Sequence, residues 1–321
     1  MTVSIIIAVK TWQKNLEECV NKCLELEGGD FEVIVLPDNP LEKVLDPRVV
    51  VLPTGCVTPP HKRDIGIRHA RGDIIAFLDD DAYPCREWLV FAREDFRDDE
   101  VAAVGGPAVT PDSDGRREKA SGLVYSSFLV SAGFTYRYRP AQKRTVHDFP
   151  SCNLFVRKEA LLALGGFNTS FWPGEDTKLC LDITSTLKKK ILYDPRVLVY
   201  HHRRKLFGGH LRQVANYALH RGYFVKKYPG TSLKPAYFFP SIFLILLVAG
   251  ALWVFFFDQF NILYAAGLLF YLLLTFLESV RISRGSPGLA PLVWQGIVLT
   301  HLTYGLFFIK GLAAPRLAEE S

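Results

Sequence analysis

The sequence predicts an α/β domain with a largely parallel sheet, followed by three helices long enough to cross a membrane. Two observations lead there. Across the first half of the 321 residues, short apolar runs alternate with helical patterns, the rhythm of strands joined by crossover helices. In the last third, three apolar stretches each approach the roughly 20 residues that a bilayer core demands.

In chain order, SIIIAVK reads as a first strand and Leu16 to Leu26 as an amphipathic helix. FEVIVLPD and VVVL read as further strands. DIIAFLDDD is nearly uninterrupted, as expected of a central strand covered on both faces, and it runs directly into three carboxylates. Ligands of open α/β sheets bind beyond the carboxyl ends of the strands. The residues that follow these strands are Lys10 and Thr11, Asp38 and Asn39, and Asp79 to Asp81, so three strand ends offer polar groups to one crevice.

The apolar spans run from Tyr237 to Phe257, Gln259 to Leu277 and Ala290 to Ile309, and none has a central Asp, Glu, Lys or Arg. Basic residues precede the first span, and Arg281 and Arg284 lie between the second and third; the short first link has Asp258 alone. By the positive-inside bias the head belongs in the cytosol and the C-terminus outside, with Arg316 in dissent. MTVSIIIAVK has no basic leader and too short an apolar run for a secretory signal, which also keeps the head cytosolic. Trp253, Tyr237 and Trp294 near span ends suit interfacial anchoring. His301, the ionisable group within a span, fits either a packed interhelical contact or a functional role. The expected divisions are 1–206 for the head, 207–234 for a basic juxtamembrane helix, 235–312 for the anchor and 313–321 for a tail.

Net charge is only +5, but between Asp194 and Asp258 there is no acidic residue, while Arg203, Arg204, Lys205, Arg212, Arg221, Lys226, Lys227 and Lys234 all fall there. Beside an apolar span, such a block points to anionic lipid headgroups or a lipid-linked phosphate and away from nucleic acid. Six scattered cysteines, without a CxxC pair, indicate neither a zinc site nor a disulfide scaffold.

Three successive carboxylates repel one another unless a cation or several donors neutralise them. A hard divalent ion, Mg2+ or Mn2+, does so economically and is commonly shared with substrate phosphates; a solvated acidic turn leading into Pro84 and Trp88 is the plainer alternative. Glu175 and Asp176 follow a turn-rich segment and precede an apolar helical pattern, which puts both at a helix N-terminus. They are then either a helix-start acid pair or a general base facing an acceptor hydroxyl.

The order of SIIIAVK, VIVLPDN, KRDIGIRHARGDIIAFLDDD and FPSCNLFVRKEALLALGGFNTSFWPGEDTKLCLDI resembles family 2 glycosyltransferases of the GT-A fold, over residues 2 to 228. That resemblance implies an inverting transfer from a nucleotide-diphosphate sugar. It places Ala8, Lys10, Thr11, Asp38, Arg63, Asp79 and Asp80 at the donor, with Asp38 on the base, commonly uracil. Asp79 and Asp81 match the metal-binding DxD, Asp176 matches the catalytic base with Glu175 beside it, and His201 or His202 resembles a histidine near the metal and diphosphate. Three positions depart from the pattern: Asp64 in place of Asn, Pro37 in place of the first Asp of a pair, and Ala8 in place of a proline.

Ser121 to Arg144 is apolar and aromatic and then basic, which reads either as an interfacial amphipathic element, with Arg137, Arg139, Lys143 and Arg144 suited to a lipid-linked diphosphate, or as an ordinary helix followed by a solvated loop. The segment from Gly208 to Tyr228 resembles the basic helix of exopolysaccharide-type (succinoglycan-like) members and lacks QxxRW. The expected acceptor is thus a polyprenyl-diphosphate-linked saccharide at the membrane and the expected donor a UDP-sugar. The competing readings are a polyprenyl-phosphate glycosyltransferase and a non-catalytic membrane module that binds nucleotide or lipid.

Overall fold

A computed structural model describes residues 1–41, 46–256 and 261–320. The chain divides into two compact units: Met1–Pro111 with Tyr136–His202, and Asp112–Thr135 with Arg203–Glu319.

The first unit is α/β. Strands β1 (Val3–Ala8), β2 (Phe31–Leu36), β3 (Val49–Val51) and β4 (Ile74–Leu78) carry the apolar runs expected of them. The short strands β5 (Ala82–Pro84), β6 (Val101–Gly105), β7 (Ala108–Val109) and β8 (Arg144–Val146) follow. β9 (Asn153–Arg157), β10 (Lys190–Tyr193) and β11 (Val199–His201) complete the set. Eight strands form one sheet in the order β3-β2-β1-β4-β9-β6-β10-β8. β3, β2, β1 and β4 are mutually parallel, as are β6 and β10. β9 lies antiparallel between β4 and β6, and β8 closes the edge antiparallel to β10. The apolar run NLFVR betrays a strand but not its direction, because direction is set by the connection that returns the chain to the sheet.

Every residue of β4 is buried, as are Ile5, Ile6 and Ile7 of β1, so the central strands read as continuous apolar runs because helices cover both faces. Helix α1 (Lys14–Leu24) buries Leu16, Cys19, Val20 and Cys23, one stripe at helical spacing. Helix α2 (Pro59–His69) turns Lys62, Arg63, Gly66 and Ile67 inward. A Cβ on Gly66 would sit 2.9 Å from Ile6 and 3.0 Å from Leu36, so the missing side chain is what lets α2 lie close over β1 and β2. Beneath α3 (Trp88–Asp95), buried Asn153 accepts from Trp88 Nε1 at 2.9 Å and donates to the carbonyls of Gly106 and Val197, both at 2.8 Å. That closed set satisfies a polar group that would otherwise be costly in the core.

The second unit is helical. It holds α4 (Arg116–Ser126) and α5 (Phe128–Ser131), whereas α6 (Lys158–Leu164) and α7 (Glu175–Ser185) belong to the first unit. It continues through α8 (Gly208–Lys227), α9 (Pro229–Ser232), α10 (Pro235–Phe256), α11 (Asn261–Ile282) and α12 (Ala290–Ala313). Three segments, Pro235–Val254, Asn261–Ile282 and Pro287–Glu320, are long and apolar enough to cross a membrane. Leu246, Ile262 and Phe270 stand outward and exposed, as side chains in contact with lipid would. Phe257, Asp258 and Gln259, where the first span was expected to end and the second to begin, lie outside the described residues.

Glycines on α12 set the helix crossings. A Cβ on Gly311 would fall 2.0 Å from Leu219 O of α8, and one on Gly305 would fall 2.4 Å from Pro240 O of α10. Such small-residue contacts bring backbones together where burial from water does not drive association. Gly311→Ala therefore costs about 1–3 kcal/mol of stability by overpacking and lowers the thermal midpoint in detergent, although alanine is the better helix former. Gly267→Ala, with open space around it, leaves the midpoint level or raises it. His301 resolves as an interhelical contact: Nε2 donates to Leu129 O at 2.9 Å and Nδ1 accepts from the Tyr271 hydroxyl at 2.9 Å.

Two expectations are corrected. Ser121 to Arg144 is not one amphipathic element: extended Ser127 ends α4, and α5, a 3-10 turn over Ala132–Arg137 and edge strand β8 follow. The basic block is not wholly directed at headgroups either. Arg221 is buried, donates to the Tyr217 hydroxyl at 2.7 Å, and lies against the Tyr217 and Tyr237 rings at 4.9 and 5.0 Å. Stacking and a hydroxyl acceptor hold its charge inside the helical unit.

Candidate active site

Parallel pairing gathers the strand ends. Ala8 at the end of β1 lies opposite Leu36 at the end of β2, and Ile6 lies opposite Phe77 of β4. Carried two residues further, that register sets Ala8 level with Asp79. Beyond β1 and β2 the chains still run together, since the Asp38 amide donates to Lys10 O at 3.1 Å, and Lys10 and Thr11 stand exposed at this edge.

Antiparallel pairing of β5 with β11 supplies the next group. β5 begins immediately after Asp81, and its Ala82 pairs with His201. His201 Nε2 thereby comes to 3.0 Å from Asp81 Oδ1, and ligand atoms of Asp79, Asp81 and His201 all lie within 4.8 Å of one another. Side chains alternate along a strand, so only one of two adjacent histidines faces the acids. His202 points the other way, to Glu18 Oε2 at 3.1 Å and toward the Tyr83 ring. Position 201 ends the strand itself, whereas the sequence placed both histidines after it.

Two carboxylates and an imidazole form an O,O,N donor set that fits Mn2+ or another borderline-hard divalent ion. Their surroundings also call for positive charge. Burial, then the charges of Asp81 and Asp79, push the Asp80 carboxyl up to about 6, although a Gln13 amide donates to it. Asp80 is thus tied to Gln13 and stands apart from the three-residue group.

Helix α2 delivers two cations to this edge. Lys62 donates to Val9 O at 2.8 Å, Leu36 O at 3.1 Å and Asp38 Oδ1 at 2.6 Å, locking the ends of β1 and β2 together with one face of the Asp38 carboxylate. Sequence reasoning passed over Lys62 because a lysine in a basic helix reads as solvated; the signal was the inward stripe of positions 62, 63, 66 and 67. Arg63, also buried, bridges two acids, with Nη2 3.0 Å from Asp79 Oδ1 and Nη1 2.6 Å from Glu175 Oε1. Burial works against its charge, but Glu175 and Asp79 outweigh it and hold the guanidinium above its ordinary range.

Gly174, at φ +117°, turns the chain into α7 with a conformation that a side chain would strain. Glu175 is buried on Arg63 and accepts from the Gly174 amide at 3.0 Å. Asp176 is only half-buried, accepting from the Thr177 amide at 2.7 Å and the Ser151 amide at 3.4 Å. The carboxylate thus stands at a helix N-terminus with two amide dipoles directed at it.

Asp64 has a structural reason for its departure from Asn. It accepts from the Phe167 amide at 2.8 Å and from the Asn168 amide, and a Cβ on Gly166 would come 2.3 Å from its oxygen. A carboxylate offers only acceptors to these donors.

Four basic residues expected at a lipid diphosphate are corrected in part. Arg137 is buried, donating to Asp148 O at 2.6 Å, and Lys143 pairs with Asp95 and, at 3.0 Å, with Asp194; Arg139 and Arg144 remain exposed. Buried carboxylates need partners, and these two cations supply them.

This geometry has relatives. Pre-mycofactocin glycosyltransferases from two Mycobacterium tuberculosis strains, CDC 1551 / Oshkosh and ATCC 25618 / H37Rv, are 31% identical over 150 residues. That match covers 46% of this chain and 31% of theirs, so the chain spans about a third of the length of these curated relatives. The mannosyltransferase PcManGT from Pyrobaculum calidifontis, solved with GDP-Man and Mn2+, superposes with a TM-score of 0.55 at 18% identity, over 97% of this chain and 86% of that one. GalNAc-T7, solved with UDP, GalNAc and Mn2+, gives 0.50 at 15% identity, over 73% of this chain and 52% of that one. Both are likenesses of fold, the GT-A α/β fold with its mostly parallel sheet. The glycosyl transferase family 2 model matches residues 4–165, half of the chain and most of the strands that build this site, and the chain belongs to that family.

Proposed function

We propose that the chain is a membrane-anchored inverting glycosyltransferase that moves a sugar from a nucleotide-diphosphate sugar to a polyprenyl-diphosphate-linked saccharide. The observation that carries this reading is the convergence of Asp79, Asp81 and His201 at the sheet edge, with Arg63 linking Asp79 to the start of α7, where Asp176 stands. Family membership, the nucleotide-sugars bound by two proteins of like fold and the three apolar helices support it.

In this reading Asp79, Asp81 and His201 hold the divalent ion, which supplies charge neutralisation to the departing nucleotide diphosphate. Asp38, steadied by Lys62, accepts from the donor base, while Ala8, Lys10 and Thr11 border the nucleotide. The single ring N–H of a uracil would meet such a carboxylate, and a UDP-sugar is the donor of this reading. Asp176 takes the proton from the acceptor hydroxyl as it attacks the anomeric carbon from the face opposite the leaving group, so configuration inverts. Residues 1–206 form the catalytic head on the cytosolic side, 207–234 the juxtamembrane helix and 235–312 the anchor.

The test uses the full chain in lipid nanodiscs with UDP- and GDP-sugars, Mn2+ or Mg2+ and a polyprenyl-diphosphate-linked saccharide. The expected result is nucleotide release matched by a product of inverted anomeric configuration by NMR. Retained configuration, or release that no acceptor stimulates, would overturn the proposal. Efficient use of polyprenyl monophosphate would instead favour the rival reading.

A further inference from the structure

Three carboxylates, Asp79, Glu175 and Asp176, act on a single buried guanidinium that bonds the first two directly. Each end of the Arg63 fork serves a different functional segment. Nη2 reaches Asp79 at the end of β4, while Nη1 reaches Glu175 in the first turn of α7, 112 residues away in sequence. The third edge is uncommitted: Arg63 Nε is buried with no hydrogen-bond partner among the described residues. The Phe167 ring, 5.6 Å from the guanidinium carbon, flanks it.

We propose that Arg63 is a positioning residue that couples occupation of the cation site to the setting of the α7 start, so that Glu175 reads whether a divalent ion is bound and Asp176 is placed accordingly. This rests on the reading of Asp79, Asp81 and His201 as the metal group. Arg63 and a divalent ion are both cations that claim Asp79. When the ion takes that carboxylate, the guanidinium loses one partner and its charge falls more fully on Glu175, which shares its helical turn with Asp176. Conversely, Glu175 draws the guanidinium's charge from Asp79 and so eases cation entry. Two cationic claimants on one carboxylate, with a second carboxylate to receive the displaced one, make the linkage reciprocal.

Glu175→Gln tests it without reference to turnover. It removes the second claim on Arg63 and keeps the side-chain size, leaving the guanidinium to compete at Asp79. Mn2+ affinity of the full chain, read from the free-ion EPR signal, is expected to fall about tenfold, within the usual span of couplings between sites. In an Arg63→Lys background, where a compact ammonium cannot fork between two acids, the same change is expected to move affinity by less than about twofold. Asp176→Asn, whose carboxylate accepts from the Thr177 and Ser151 amides, serves as the control for charge loss at the α7 start. In the unmodified chain, Mn2+ is expected to alter hydrogen exchange at the amides of Gly174 to Thr177, and Asp81→Asn to abolish that response. Wild-type Mn2+ affinity in Glu175→Gln, or unchanged exchange in the metal-loaded chain, overturns the coupling and leaves the metal reading standing. Failure of the wild type to bind Mn2+ overturns both.

Discussion

Asp176→Asn is expected to cut sugar transfer by about 100- to 10,000-fold, the range attributable to a positioned general base, with donor binding changed less than about twofold. The split follows from where Asp176 stands. Its oxygens accept from the backbone amides of Thr177 and Ser151 at the start of α7. An asparagine keeps one acceptor oxygen for these amides but cannot take a proton. Steady-state kcat against donor KM, with a competitive nucleotide-binding assay, separates the two effects. Transfer within about tenfold of wild type sinks the assignment of Asp176. If that residual transfer were to a monophosphate acceptor, which is already anionic and needs no base, it would point to the polyprenyl-phosphate rival.

What could be read in advance from the residues, and what could not, follows the range of the forces involved. The strands SIIIAV, VIVL and IIAFL were legible because burial on both faces leaves an unbroken apolar run, and their ends announced Asp38 and Asp79 to Asp81. Glu175 and Asp176 were legible as a helix start, since glycine and acids there answer local backbone needs. The choice between His201 and His202 was not, because it depends on the register of β11 against β5, a pairing across more than a hundred residues. Lys62 was hidden for a related reason: its three partners sit just past β1, on β2 and in the loop after β2, so the stripe of positions 62, 63, 66 and 67 was the one local trace of its burial. The cations at Arg137 and Lys143 misled in the opposite sense. A basic cluster in sequence suggested a phosphate, but Asp148, Asp95 and Asp194 were the partners that the fold brought to them.

Removing the divalent ion has the other large expected effect, and its residue dependence is sharp enough to test the geometry. Chelation, or Asp81→Asn, is expected to lower turnover by at least about 100-fold, the scale seen when a single preorganised group stabilising the leaving charge is lost. The loss after chelation returns with added Mn2+, whereas the Asp81→Asn loss does not at ordinary concentrations. The histidines then discriminate between neighbours. His201, 3.0 Å from Asp81 and within the three-residue group, is expected to lower Mn2+ affinity about tenfold or more when replaced by alanine. His202 turns its ring to Glu18, and His202→Ala should leave Mn2+ affinity within about twofold, since removing a partly exposed pair of that kind costs little. Titration of Mn2+ by EPR gives both numbers directly. Equal losses in the two variants would mean that strand alternation at β11 does not sort the histidines as described, and turnover indifferent to chelators would remove the ion from the reaction altogether.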